Sequence, residues 1–472
     1  MLIKPKLEQK LNGVYSFGAK TIAKANACLS SPIFQELWNG FCCNCGELLI
    51  ENVCDNVFIL GEVGAIQKPE RDGYILEITE KGVAISANDE KNLLYGFFAL
   101  LERIRVICTE KNKEKFSITC CRVTDEPKVK LRMVHFCVFP ETKLDLLVKC
   151  LRISAFLRYT HVIVEFWGML QFDCLKELAW KEGYSKEEIK PIFQEARDMG
   201  LEIIPMFNSW GHASGSKLNQ GKHVVLDQNL SLAPLFDETG WNWDLKNPQT
   251  KELHKKIFGE LIELCGEGEY VHIGCDEAYG EFSKEYYDVV ADYINELHTH
   301  LQKQGRKTII WGDMLLHKDS IENKTGNTYQ EFVKDKNLQQ CLLKKLSKEI
   351  IIADWQYQAK HCPIETALFL KEQGFHVLCC PWDRTYENII ATSQTIKEYG
   401  LTGVLHTTWH NLGMGMPLVG VSATLAWEQK SERPDKGYYK ASFANVLRKL
   451  HFPKGEYKNS GWADAQILDW LY

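Results

Sequence analysis

The sequence predicts an α/β fold, a (β/α)8 TIM barrel preceded by a small α+β domain. Three observations carry this. From Lys130 onward, short β-rich runs alternate with helical stretches, strand then helix, eight times over. Before that point the rhythm differs, with one hairpin and one apolar helix. The length, 472 residues, holds a barrel of about 250 residues and a smaller unit beside it.

The small domain is assigned to residues 1–125. Tyr74-Ile75-Leu76-Glu77-Ile78 alternates, Gly82 turns the chain, and Val83-Ala84-Ile85-Ser86-Ala87 alternates again, which signals a hairpin. Asn88 and Asp89 then precede helical apolar spacing over Leu93–Ile104. The lysine-rich segment Thr109–Lys115 reads as a solvated loop.

The barrel, with a C-terminal extension, is assigned to residues 126–472. Its expected strands are Leu131–Val138, His161–Trp167, Leu201–Phe207, Tyr270–Cys275, Lys307–Trp311, Ile350–Trp355, Phe375–Pro381 and Thr402–Trp409. Helical segments such as Ser185–Met199 and Thr250–Cys265 separate them. Such alternation indicates a closed parallel barrel. Two connections are long, from Asn208 to Pro248 and from Gly312 to Lys348. Both follow the carboxyl end of a strand, the face where barrel enzymes build their sites. After a helix around Ser422–Trp427, the last stretch, with Trp462 and Trp470, is expected to pack against the barrel.

Hydrophobic content of 45% and charged content of 25% are ordinary for a globular chain that buries its core without disulfides or metals. Net charge is −6 and no basic run stands out, which excludes a nucleic-acid partner. No apolar run approaches the roughly 18 residues of a membrane span. The start, Met1-Leu2-Ile3-Lys4-Pro5, has no apolar signal core. With 17 cysteines scattered through apolar stretches, a cytoplasmic protein with thiols as small buried hydrophobes is expected. Cys42, Cys43 and Cys45 are too close for zinc-finger spacing, so no metal or other cofactor is expected.

The strongest chemical signal is Val271-His272-Ile273-Gly274-Cys275-Asp276-Glu277. Neighbouring side chains on a strand point to opposite faces, so two adjacent carboxylates share a site only where the strand is ending. Like charges so close push one pKa upward, as a general acid requires. A solvated loop start or a helix N-cap is the competing structural explanation. The second signal is tryptophan at strand ends: Trp167, Trp311, Trp355, Trp382 and Trp409. Aromatic walls suit sugar rings, whose C–H faces are apolar. The third is Ser209-Trp210-Gly211-His212-Ala213 after the third strand, where His212 can orient an acid or bind a hydroxyl. Asp313 follows Trp311 by two, and Asn411 follows Trp409 by two as a hydroxyl reader.

From about Tyr74 to Trp427 the chain resembles the family 20 glycoside hydrolases, the β-N-acetylhexosaminidases. Asp125-Glu126-Pro127 and Arg132 are similar to the family's entry to the first strand. Tyr184 through Gly200, Glu202-Ile203-Ile204-Pro205 and Gly211-His212-Ala213 are similar to its second helix, third strand and Gly-His loop. His272 through Glu277 resembles its His-x-Gly-Gly-Asp-Glu signature. The resemblance implies that Asp276 and Glu277 are catalytic. Glu277 is the general acid, and the substrate's own acetamido oxygen is the nucleophile. Asp276 holds the acetamido N–H while an oxazolinium ion forms, the substrate-assisted exception among glycosidases. It implies substrate contacts at Glu165, His212, Trp311, Asp313, Trp355, Trp382, Asp383, Arg384, Trp409 and Asn411, and a small oligosaccharide or glycoconjugate ending in N-acetylhexosamine as partner.

The chain departs from the family at the signature's second glycine, Cys275, and lacks arginine in His135-Phe136-Cys137-Val138-Phe139. The strand ends Glu165-Phe166-Trp167, Trp382-Asp383-Arg384 and Trp409-His410-Asn411 also differ. These changes fall on hydroxyl-reading positions, so release of terminal N-acetylglucosamine, N-acetylgalactosamine or both is expected, with a preference that differs from the commonest members and a galactosamine-directed activity as one option. Two rival readings stand beside this one: a glycosidase pairing Glu277 with Glu165 as a separate carboxylate, and a sugar-binding protein without turnover.

Overall fold

The computed structural model describes residues 2–107, 115–215, 221–330, 333–382, 385–409, 415–428, 434–450, 465–466 and 468–471. Of the expected loop Thr109–Lys115 only Lys115 is among them, and Trp462 and the side chain of Trp470 lie outside them.

Two eight-stranded sheets organise the chain. The first is mostly antiparallel and runs, in spatial order, Leu7–Gly18, Lys115–Asp125, Tyr74–Thr79, Gly82–Ala87, Val57–Gly61, Lys20–Asn26 and Glu47–Val53, with Arg105–Ile107 also on Lys115–Asp125. The expected hairpin is present, pairing Tyr74 with Ala87 through Thr79 with Gly82. Helix Glu90–Leu101 begins where the Asp89 side chain accepts the Asn92 N–H, a standard N-cap. The helix packs on the hairpin strands, with Leu93, Phe97 and Leu100 fully buried.

The second sheet is the barrel. Its strands are Leu131–Val138, His161–Phe166, Glu202–Ile204, Tyr270–His272, Lys307–Trp311, Ile351–Trp355, His376–Cys380 and Gly403–His406, joined in parallel. The eighth pairs back onto the first. The third meets the fourth through a Met206–His272 bridge, where His272 N donates to Pro205 O (2.9 Å) and Phe207 N to His272 O (3.2 Å). Each strand is followed by a helix, among them Lys186–Asp198, whose Ser185–Glu188 capping box fixes its start. No described helix is long and apolar enough to cross a membrane.

Inside the barrel, Met133, Ile163, Ile204, Ile309, Leu378 and Leu405 form the apolar filling, and Trp311, Trp355 and Tyr357 belong to the same cluster. The two sheets are joined through a buried polar junction. Asp125 Oδ2 accepts from Tyr74 OH (3.1 Å) and Trp427 Nε1 (3.0 Å), and pairs with Arg158 Nη1 (3.3 Å). The Arg158 guanidinium lies over the Trp427 ring at 4.5 Å.

Candidate active site

The site begins where the fourth strand stops. The strand was expected to reach Cys275, but it ends at His272, because the backbone then turns left-handed at Gly274 (φ 71°) and Cys275 (φ 73°). At Gly274 only hydrogen fits, since a Cβ would stand 2.7 Å from Asn208 Cα. Cys275 takes the same conformation with a side chain, at a cost of about 1–2 kcal/mol. Glu277 is left-handed as well (φ 44°). Two reversals so close break the strand's alternation and leave Asp276 and Glu277 on one side. The loop after the third strand comes against this turn. A Cβ on Gly211 would stand 2.2 Å from Asp276 O, so a glycine is needed there.

His212 joins the two carboxylates. Its Nε2 lies 2.7 Å from Glu277 Oε2 and 3.3 Å from Asp276 Oδ2. Asn208 Nδ2 donates to Asp276 Oδ1 (2.9 Å). Lys222 Nζ stands 3.5 Å from Asp276 Oδ2 and 2.9 Å from Glu165 Oε1. Glu165 Oε2 accepts from Trp167 Nε1 (3.1 Å) and lies 3.2 Å from His135 Nε2. Beneath Glu277, its backbone N–H donates to Asp313 Oδ2 (2.8 Å), while Trp355 Nε1 donates to Asp313 Oδ1 (3.3 Å). Trp241 Nε1 donates to Glu277 O (2.7 Å) from the other side.

Adjacent carboxylates are expected to force one pKa up, but the raised group is Asp313 and not Asp276. Burial alone pushes Asp276 upward; the Lys222 ammonium outweighs it, with His212 adding, and holds the carboxyl well below its usual range. Glu165 is held low in the same way, burial being overridden by Lys222 and then His135. Burial, reinforced by the Asp276 charge, drives Asp313 well above the carboxylate range. His212 is raised: burial and Lys222 act against its charge, and the carboxylates of Asp276 and Glu277 prevail.

Over this network lies a cavity of about 220 Å³ lined by Trp167, His212, Lys222, Asp276, Glu277, Trp355, Tyr357 and Trp409. Trp409 Nε1 donates to Tyr357 OH (2.6 Å), and Thr407 Oγ1 lies 3.2 Å from the same hydroxyl. Two aromatic walls and a charged floor thus enclose a space smaller than the ~300–1,000 Å³ of drug-sized sites.

Of the residues singled out from the sequence, Asp276, Glu277, His212, Trp167, Trp355 and Trp409 line this cavity. Glu165 is buried behind Lys222, and Asp313 is buried under the Glu277 backbone. Trp311 is fully buried in the barrel, its ring against His272 (4.4 Å) and Trp409 (5.5 Å). Trp382 packs on Tyr357 at 5.2 Å. Asp383, Arg384 and Asn411 lie outside the described residues. Sequence reasoning missed Lys222, Tyr357, Asn208 and His135. Tyr357 had a usable signal, standing two residues beyond Trp355 at a strand end; Lys222, inside a polar loop, had none.

Among the described residues, two groups bring metal-ligand atoms within 4.8 Å of one another: His135, Cys137 and Glu165, and His212, Asp276 and Glu277. The Lys222 ammonium already stands against a carboxylate of each group, so a divalent cation there would meet a positive charge at close range.

Comparison with known proteins agrees with this geometry. Residues 168–414 match the model of glycosyl hydrolase family 20, catalytic domain. The chain is 22% identical over 293 residues to a lacto-N-biosidase of Bifidobacterium bifidum, covering 56% of this chain and 25% of that protein. It is 26% identical over 172 residues to hexosaminidase D of Bos taurus, covering 33% of this chain and 46% of that protein. The chain therefore spans between a quarter and a half of these curated relatives. Among solved structures, the family 20 exo-β-N-acetylglucosaminidase of Vibrio harveyi superposes with a TM-score of 0.69 at 15% identity, over 95% of this chain and 76% of that one. The matched region spans the barrel from the end of its second strand to beyond its eighth and includes Asp276, Glu277 and His212; the chain belongs to glycosyl hydrolase family 20.

Proposed function

We propose that the protein is a retaining, exo-acting β-N-acetylhexosaminidase that uses the substrate's acetamido group as nucleophile. The observation that carries this reading is the shared imidazole: Asp276 and Glu277 both reach His212 Nε2, so they stand on one wall of the cavity. A glycosidic bond cannot lie between them, as it must when one carboxylate attacks and the other protonates. This supports a nucleophile supplied by the sugar itself. The small cavity fits one terminal sugar ring and thus exo-action.

In this reading Glu277 protonates the glycosidic oxygen as the C1–O bond breaks, and the acetamido oxygen attacks C1. Asp276, held as an anion, accepts the acetamido N–H and stabilises the positive charge of the oxazolinium ion. The Tyr357 hydroxyl takes a hydrogen bond from Trp409 and lines the cavity, where it can meet a substrate oxygen. Glu277 then removes a proton from water, which opens the ring at C1 with retention. Glu165 is unsuited to the rival two-carboxylate role, since Lys222, His135 and Trp167 already occupy it. All described cysteines are free thiols, which accords with a reducing cytoplasm and a small oligosaccharide or glycoconjugate as substrate.

The test is hydrolysis of aryl β-glycosides of N-acetylglucosamine and N-acetylgalactosamine beside the plain glucoside and galactoside. Only the acetamido sugars should turn over, their ratio naming the epimer. Glu277→Gln should lower kcat by about 10²–10⁴-fold, and Asp276→Asn should be crippled too. Hydrolysis of the plain glycosides at similar rates would end this reading.

A further inference from the structure

The cavity contains a cation that the reaction above does not call for. Lys222 is 2% exposed and lines the cavity. Its backbone N–H donates to His212 O (2.9 Å), which pins it to the loop that carries the imidazole. The indole rings of Trp167 and Trp409 flank its ammonium at 5.2 and 4.9 Å. Glu165, the nearer of its two carboxylates, is itself fixed by Trp167 and His135. The chain of contacts therefore runs from the second strand through Glu165 to Lys222 and ends on Asp276 at the cavity wall.

Stability does not account for this arrangement. Burying charges is costly, and a buried ion pair can usually be replaced by apolar side chains at no loss. Here one ammonium is shared between two carboxylates, Glu165 and Asp276, rather than paired with one. The groups facing Asp276 are few. Asn208 is neutral, Asp313 and Glu277 are acidic, and His272 is buried below with its pKa lowered to about 3 by burial. His212 divides its one nitrogen between Asp276 and Glu277. Among the described residues, Lys222 is the cation against Asp276 that is not shared with Glu277.

We propose that Lys222 is a positioning residue for the reaction: Glu165 fixes the ammonium, and the ammonium fixes the direction and the negative charge of Asp276. The kinetic part rests on the reading of Asp276 as the acetamido partner. An anionic carboxylate offers acceptors only, whereas a protonated one would present a donor to the amide N–H.

The experiment uses the full chain with Lys222→Met, Lys222→Arg and Glu165→Gln, and has two readouts. The first is the titration of the Asp276 carboxyl by carbon-13 NMR of aspartate-labelled protein, assigned by its loss in Asp276→Asn. Lys222→Met should move it upward by about one pH unit or more, and Lys222→Arg should restore it. The second is turnover of an aryl N-acetylhexosaminide. Lys222→Met should lower kcat by about 10²-fold or more with a smaller change in KM, as expected when transition-state stabilisation is removed. Its acidic pH limb should move upward with Asp276, and arginine should recover both. If the methionine variant fails to fold, Lys222→Gln, which keeps a hydrogen-bond donor for Glu165, takes its place with an upward shift of the same sign, whereas Glu165→Gln removes a negative charge near Asp276 and should move its titration downward. An Asp276 titration unchanged in the folded variants overturns the proposal, even if kcat falls, since Lys222 would then be scaffolding. A wild-type protein inactive on acetamido sugars defeats the proposed function instead, and the titration still decides Lys222.

Discussion

Asp313→Asn tests the electrostatics beneath the acid. Asp313 is buried, and its two oxygens take hydrogen bonds from the Glu277 N–H at 2.8 Å and the Trp355 indole at 3.3 Å. Its folded pKa is raised, first by burial and then by Asp276. A carboxyl raised on folding keeps its proton in the native state while the unfolded chain has lost it. The native state is thus favoured below the unfolded value, about 3.9, and loses that advantage as pH rises toward the folded value. Each pH unit in that window removes about 1.4 kcal/mol from the wild type. Asparagine does not titrate, so the variant escapes the loss. It keeps one acceptor and loses another, a pH-independent cost of about 1 kcal/mol. Asp276 and Glu165 titrate in both proteins and largely cancel in the difference. The assay is urea unfolding of both proteins at pH 4.5, 5.5 and 6.5. The variant should gain on the wild type by up to roughly 1.4 kcal/mol per pH unit as pH rises above about 4, levelling off once the folded value is passed. A difference that stays constant with pH would refute the argument and mean that Asp313 is ionised in the native protein.

Other predictions address the backbone around the acid. At Cys275, where φ is 73°, Cys275→Gly should be more stable than Cys275→Ala by about 1 kcal/mol, the reverse of the usual strand order; chemical denaturation of the two variants checks this. Trp241→Phe removes the indole N–H from Glu277 O, a hydrogen bond of 2.7 Å, and keeps a ring beside His212. Loss of one hydrogen bond is worth about 1 kcal/mol, so kcat should fall about five-fold with the melting temperature little changed; full activity would show that the indole does not hold the acid in place.

How much could be read beforehand depended on whether a feature was local. Leu131–Val138 and Lys307–Trp311 were legible to the residue, because β-rich runs stop there at Phe139-Pro140 and at Gly312-Asp313. The third strand was expected over Leu201–Phe207, yet its ladder covers Glu202–Ile204, and Met206 forms a separate bridge to His272. That distinction comes from the neighbouring strand Tyr270–His272, far along the chain, which no local pattern encodes. Asp276 and Glu277 were visible because both stand directly after an apolar run. Lys222 was not, because a lysine in a loop reads as solvated. It is buried only because Glu165, 57 residues earlier in the chain, receives it. Asp313 looked like a cavity residue by its distance from Trp311, whereas the short helical turn Asp313–Leu315 directs it under Glu277.

The junction of Asp125 with Arg158, Tyr74 and Trp427 bears on modularity. A gene shortened to begin at residue 126 would keep Arg158 and the Trp427 indole but discard the carboxylate and the phenol that meet them. The barrel would then carry an uncompensated cation in what had been its interior, a penalty of roughly 3–5 kcal/mol on the usual scale for breaking such a pair. The antiparallel sheet is therefore better regarded as part of the barrel's own foundation than as a detachable accessory, and exchanging it between relatives would require the carboxylate and its partners to travel together.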